Sequence, residues 1–164
     1  MIVVSVGTNE ARFDRLLEWV AKARVAEELV VQHGPSSIRP EGASCVAYMP
    51  YDTLVGLVHR SRVFVTHAGV GSILVSLGAG RKPVVVPRLK QFGEAVDDHQ
   101  LALAQRMDHA SLVTVADSVE QLRDAIDRTE HTVTASGGAT ALARDVREYL
   151  LLCTAQAKDG RGRA

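Results

Sequence analysis

The segment Thr66-His67-Ala68-Gly69-Val70-Gly71-Ser72 combines two glycines, an imidazole and a hydroxyl directly after a β-branched run. Gly69 and Gly71 let a ligand approach the backbone. A helix opening here would present free N–H groups carrying roughly half a positive charge. That is the chemistry of an anion site, such as one for diphosphate. The same spacing also suits a tight strand-to-helix turn in which the glycines serve only steric needs. Val6-Gly7-Thr8-Asn9 forms a second such turn. It has one glycine, no Gly-x-Gly-x-x-Gly and no P-loop lysine, which argues against the usual dinucleotide fold and leaves a plain turn open. A third segment, 87–100, is long and polar. It offers Arg88 and Lys90 as cations, Glu94, Asp97 and Asp98 as carboxylates, the imidazole of His99 and the amide of Gln100. Loops this rich in hydrogen-bonding groups often bind ligands; a solvated loop with a charged helix start is the alternative.

Other chemistries fit less well. His67 and His99 are distant in sequence, Asp97-Asp98 is a lone pair, and no His-x-x-x-His or Cys-x-x-Cys occurs. No metal and no cofactor is therefore expected. A serine nucleophile lacks its Gly-x-Ser-x-Gly elbow. His59, His109 and His131 read as ordinary helix or turn residues.

The elements that must position these loops follow from periodicity. Apolar, β-branched runs at 2–6, 28–32, 44–48, 63–66, 83–86 and 112–115 read as strands, several of them apolar throughout, as parallel strands buried on both faces are. Amphipathic helices lie between them. The first carries Phe13, Leu16, Leu17, Val20 and Ala21 at helical spacing. A short one carries Leu54, Leu57 and Val58 with Asp52 as its cap, and another opens on the capping box Ser118-Val119-Glu120-Gln121. A last helix carries Ala139, Leu142, Ala143, Val146, Tyr149 and Leu150. The expected fold class is α/β: a Rossmann-like parallel sheet of about six strands with helices on both faces. In such sheets ligands bind at the carboxyl ends of strands, which selects loops 7–12, 33–40, 67–72 and 87–100.

Composition bounds the function. The 164 residues suit one domain, expected over 1–153 with a disordered tail at 154–164. Lys plus Arg and Asp plus Glu both number 19, so charge points to neither nucleic acid nor a membrane surface. No signal peptide or span is expected, and Cys45 and Cys153 read as buried thiols in a reducing cytoplasm.

Taken in order, His67-Ala68-Gly69-Val70-Gly71-Ser72, Lys82-Pro83-Val84-Val85-Val86-Pro87-Arg88, Gly93-Glu94 and Val96-Asp97-Asp98-His99-Gln100 resemble the C-terminal, nucleotide-sugar-binding domain of glycosyltransferase family 28. Val4-Ser5-Val6-Gly7-Thr8 and Val31-Gln32-His33-Gly34 match as well, so the resemblance covers residues 1–150. It is similar above all to the PssE/EpsF-type exopolysaccharide glycosyltransferase subunits. More distantly, it resembles the catalytic subunit of the dolichol-linked N-acetylglucosaminyltransferase.

The resemblance implies one half of a GT-B glycosyltransferase. Gly7, Thr8 and Asn9, together with Gly69, Val70, Gly71 and Ser72, would face the diphosphate of a UDP-sugar. His99 and Gln100 would face the sugar, while Met49, Pro50 and Tyr51 would meet the base. Gly34, Arg88 and Asp98 complete the expected donor-binding set, and His67 and Glu94 are the local candidates for catalysis. Two positions depart from the pattern. Val75 stands where many members carry a ribose-binding Glu, and Ala95 stands where the PssE-type pattern has His.

The activity so implied is metal-independent, inverting transfer of a hexose or hexuronate from UDP to a lipid-linked sugar acceptor. A membrane-anchored acceptor-binding subunit would present that acceptor, and would hold this chain peripherally at the inner face of the membrane. Leu151 and Leu152, continuing the last helix, are the expected docking point. A nucleotide-sugar-binding module without activity, serving as sensor or scaffold, is the competing reading.

Overall fold

The computed structural model describes residues 1–129. The helix expected over 139–150, Leu151, Leu152, Cys153, His131 and the tail at 154–164 lie outside them. Six strands form one sheet: β1 (Ile2–Ser5), β2 (Leu29–Gln32), β3 (Ser44–Val46), β4 (Val63–Thr66), β5 (Val84–Val85) and β6 (Thr114–Val115). Every neighbouring pair is parallel, in the order β3-β2-β1-β4-β5-β6. Each expected strand is present: β4 spans the residues expected for it, and the other five are shortened at one or both ends. The helices are α1 (Asp14–Ala23), α2 (Tyr51–Arg60), α3 (Val70–Gly78), α4 (His99–His109) and α5 (Val119–Arg128), with a 3-10 turn at Lys90–Phe92.

Why these strands are apolar throughout follows from the packing. Ile2, Val4 and Val6 point to one face, where Phe13, Leu16, Leu17 and Val20 of α1 and its approach meet Leu122 and Ile126 of α5. Val3 and Phe64 point to the other, against Val58 of α2 and Val75 of α3. Alternation puts successive side chains on opposite faces, and both faces are covered. Farther along the second face, Ile73 of α3 packs with Val85, Val113 and Ala104 and Met107 of α4.

Two local expectations are corrected. In α1 the buried alanine is Ala23, and Ala21 is exposed, because the buried stripe runs from Val20 to the residue three further on. Asp52 does not cap α2. The helix starts at Tyr51 behind Pro50, no side chain caps it, and Asp52 sits in the first turn, where its charge still suits the helix dipole. The capping box at Ser118 forms in part: Ser118 Oγ accepts the Gln121 N–H at 3.2 Å, but Gln121 Oε1 reaches one residue further back, accepting the Asp117 N–H at 3.2 Å instead of that of Ser118.

The strand order reverses between β1 and β4. From β1 the chain moves outward to β2 and β3, then crosses back to place β4 on the other side of β1. The loops leaving β1 and β4 therefore diverge, and a crevice opens between them at the carboxyl edge of the sheet.

Candidate functional site

The floor of that crevice is polar because β1, β2 and β4 each end on a polar residue in one register row. Ser5 is paired with Gln32 on one side and with Thr66 on the other. All three are buried. Ser5 Oγ donates to Gln32 Oε1 at 2.7 Å, and Thr66 Oγ1 donates to Ser5 O at 3.1 Å. The Gln32 amide grips the next turn from below. Its Oε1 accepts the Gly7 N–H at 3.1 Å, and its Nε2 donates to Gly7 O at 3.0 Å and to Ala47 O at 2.9 Å. A buried amide that satisfies both backbone groups of one residue fixes that residue's position. Losing it would leave the Gly7 N–H with only Ser5 Oγ, 3.2 Å away, and the Gly7 carbonyl without its donor, at a cost of about 1–3 kcal/mol for that carbonyl.

One side of the crevice is the loop into α3. Gly69 precedes the helix in extended conformation, and the Ile73 N–H donates to Gly69 O at 3.1 Å. The N–H groups of Val70, Gly71 and Ser72 have no acceptor among the described residues, and they open toward the crevice at the positive end of the helix dipole. An additional Cβ on Gly71 would meet nothing within 4 Å.

His67 lies between the two glycine turns. A Cβ on Gly7 would come within 2.3 Å of its Nε2, and one on Gly69 within 2.1 Å of its Cε1. Gly7 also has a φ of +78°, which only glycine adopts cheaply. These two glycines therefore make room for the imidazole. Ser72 Oγ is 3.3 Å from Nε2, while Nδ1 is buried without a well-formed hydrogen bond among the described residues. Burial first, and then the Arg88 cation, push the His67 pKa down to about 4; the Gln100 side chain acts the other way. At neutral pH the ring is uncharged and a weak base.

That shift has a consequence for stability. The folded-state value of about 4 lies below the ordinary 6.5, so between them the unfolded chain binds more protons than the folded one. Stability is untouched above about pH 6.5 and falls as the pH drops toward 4, with a slope approaching ~1.4 kcal/mol per pH unit. Urea denaturation at pH 7 and pH 5 should show a loss in the parent chain that is much smaller in His67→Asn. The Glu27 carboxylate, held down at about 2 chiefly by Arg62, acts in a lower window, losing its contribution as pH falls from 4.5. An equal loss in both proteins would contradict the assignment to His67.

The loop between β5 and α4 is organised by two arginines. Arg88 is 0% exposed; its Nη1 donates to Ala11 O, Arg12 O and Glu94 O, and its Nη2 to Val6 O at 2.8 Å. Glu94 is buried, its two oxygens taken by Arg15 at 2.9 and 2.7 Å and by the Leu89 N–H at 3.0 Å. Arg15 also donates to Pro87 O and lies over Trp19 and Phe92. Asp98 Oδ1 accepts the Lys90 N–H at 3.0 Å. His99 begins α4 with its side chain 89% exposed and its Nδ1 2.7 Å from Asp97 Oδ2. The His99 backbone N–H, and after it this pairing, lower the Asp97 pKa. Gln100 Oε1 accepts the Arg88 N–H at 3.3 Å.

The crevice encloses about 650 Å³. Of the residues expected from sequence, it brings together Gly7, Thr8, Asn9, Met49, Tyr51, His67, Gly69, Gly71 and Ser72. Val70 contributes its N–H from the helix start. Gly34 stands behind the wall with φ +54°, its N–H on Ala47 O. Arg88, Glu94, Asp98, His99 and Gln100 are not among the lining residues. Sequence reasoning missed Ser5, Gln32, Tyr48, Leu54 and Leu74 as lining residues, and it noted Val75 only as a departure from the family pattern. The available signal was the polar residue closing each apolar strand. No formally charged side chain lines the crevice among the described residues, so an anion there would meet backbone N–H groups and hydroxyls. Nor does any group of three or more His, Cys, Asp or Glu among those residues stand ready to hold a metal.

The same fold is found in solved glycosyltransferases. The glycotransferase of kitacinnamycin superposes with a TM-score of 0.59 at 22% identity, over 78% of this chain and 34% of that one. CalG4, the calicheamicin glycosyltransferase, gives 0.59 at 18% identity over 99% of this chain and 43% of that one. SnogD from Streptomyces nogalater gives 0.51 at 20% identity over 89% and 42%. In sequence, the chain is 35% identical over 68 residues to the UDP-N-acetylglucosamine transferase subunit ALG13 of Yarrowia lipolytica, which is 41% of this chain and 33% of that protein. The chain thus spans about a third to two fifths of the length of these proteins. The family model described as the glycosyltransferase family 28 C-terminal domain matches residues 1–143, and with most of the chain so matched, the protein belongs to that family.

Proposed function

We propose that this chain is the donor-binding subunit of a split, inverting glycosyltransferase that moves a hexose or hexuronate from a UDP-sugar to a lipid-linked glycan acceptor in polysaccharide synthesis. One observation carries the reading. At the switch point of the sheet, a cleft of about 650 Å³, uncharged among the described residues, is bordered by the N–H groups at the start of α3, which have no acceptor among those residues, and by the Gly7 turn. Those groups suit a diphosphate, and the apolar wall of Leu54, Leu74 and Val75 with Tyr48 and Tyr51 suits the nucleoside. The relative named as a UDP-N-acetylglucosamine transferase subunit supports both the donor class and the need for a partner.

The chemistry asked of this half is electrostatic. UDP gains negative charge as it leaves, and fixed N–H donors with a helix dipole stabilise it without reorganising. A base for the acceptor hydroxyl falls to a membrane-anchored acceptor-binding subunit. Here Glu94 is already bound by Arg15 and Leu89, and His67 is held neutral and weakly basic. No helix among the described residues is long and apolar enough to cross a membrane, so we assign the membrane contact to the partner too. That neither local base is free also favours the second reading, a binding module without turnover.

The test is calorimetric titration of the purified chain with a panel of nucleotide diphospho-sugars, followed by transfer assays with and without the acceptor subunit. UDP-sugars should bind, with affinity unchanged by EDTA, and turnover should require the partner. Binding without turnover in the full complex would select the module. Binding lost on chelation and restored by a metal would contradict the metal-free phosphate site.

A further inference from the structure

Among the described residues Arg88 is the largest fully buried side chain, and none of those residues sets a carboxylate oxygen against its guanidinium. Removing a cation from water costs several kcal/mol, and neutral carbonyls compensate only in part. An arginine cannot shed its proton to escape that cost. Burial accordingly lowers its pKa, with the nearby Glu94 carboxylate opposing. An aliphatic side chain of similar volume would fill the space against Phe13, 4.6 Å away, without the penalty. The carbonyls it holds explain the cation. Val6, Ala11 and Arg12 flank the turn that carries Gly7, Thr8 and Asn9, and Glu94 belongs to the loop between β5 and α4. One planar, forked group thus ties two loops at the carboxyl edge of the sheet. Its own N–H meets Gln100, the first-turn residue of α4 whose side chain acts on His67.

We propose that Arg88 is a positioning residue for the donor cleft: its guanidinium pins the turn of Gly7, Thr8 and Asn9 to the β5–α4 loop and does not itself touch the ligand's phosphates. This rests on the donor-cleft reading for its functional consequence, though the pin itself exists without ligand. Lysine does not replace it, because one ammonium has three donors on a flexible stem and cannot span four carbonyls on two loops.

The full chain is compared with Arg88→Lys and Arg88→Met by calorimetry with UDP, and by NMR of the Gly7, Thr8 and Asn9 amides and of the His67 ring. Both variants should lose about tenfold or more in UDP affinity, with no rescue by lysine. In both, those amides should shift before any ligand is added. In Arg88→Met the His67 titration should move up from about 4 toward 6.5, because the cation that opposes its protonation is gone. Unmoved amides and an unmoved His67 in a folded variant would overturn the proposal. If the variants do not fold, the parent chain decides: the Arg88 guanidinium protons should exchange slowly and stay in place when UDP is added. Fast exchange, or a large shift on UDP addition, would show a solvent-facing or phosphate-binding arginine. If the parent does not bind UDP at all, the donor reading fails, while the ligand-free amide and His67 results still judge the pin.

Discussion

Replacing Gly71 by valine is expected to cost roughly 100-fold or more in affinity for UDP while leaving the fold intact. The two halves of that statement have separate causes. A Cβ at Gly71 would meet nothing within 4 Å, so the protein has space for the larger side chain. Gly71 is in the first turn of α3, where valine is no worse a helix residue than glycine. The space that valine would occupy is the cleft itself. Two methyl groups there would keep a diphosphate from the N–H groups of Val70, Gly71 and Ser72, and each hydrogen bond to a charged oxygen contributes about 1.5–3 kcal/mol. Calorimetry and a thermal melt of the same sample check both halves. Unchanged affinity would remove the diphosphate from this helix start, and a lowered melting temperature would show that the cleft wall has been misplaced.

The opposite pattern is expected for the neighbouring glycines. Gly69→Ala puts a methyl 2.1 Å from His67 Cε1, and Gly7→Ala puts one 2.3 Å from Nε2 on a backbone with φ +78°. Overpacking costs about 1–3 kcal/mol, and the left-handed conformation adds about 1–2 kcal/mol for alanine at Gly7. Gly7→Ala should therefore lower the melting temperature by roughly 10 °C, and Gly69→Ala by somewhat less. Because the obstacle is one imidazole, His67→Ala should recover much of the stability lost in Gly69→Ala, measured as a double-mutant cycle by urea denaturation. Additive losses would mean that the alanine methyl meets backbone instead of the ring.

These contrasting glycines show where the sequence was legible. All three follow apolar strands within a few residues and look alike in the sequence. That the loops carry them, and that the strands run parallel with both faces buried, follows from apolar runs such as Ile2–Ser5 and Val63–Thr66. Which glycine faces a ligand and which makes room for His67 depends on β1 and β4 lying side by side, a contact across some sixty residues of chain. The same distance hid the Arg15–Glu94 pair, whose members are 79 residues apart. Arg88 and Glu94 were read as site groups because charged residues in a loop usually face water. Here each is buried by partners near the start of the chain, Arg88 by carbonyls of the β1–α1 loop and Glu94 by Arg15 in the first turn of α1. Gln32 was legible in hindsight: a polar residue ending an apolar strand at the carboxyl edge has to satisfy something there, and it satisfies Gly7.

The most direct test of the donor-cleft reading is an amide chemical-shift map of the full chain titrated with UDP. The expected shifts cluster on Gly7, Thr8 and Asn9, on Tyr48, Met49 and Tyr51, and on Gly69, Val70, Gly71 and Ser72. Shifts gathered instead on Arg24, Arg62 and Arg123 around the groove beside Glu27 and Asp127, or no shifts at all at millimolar UDP, would contradict it.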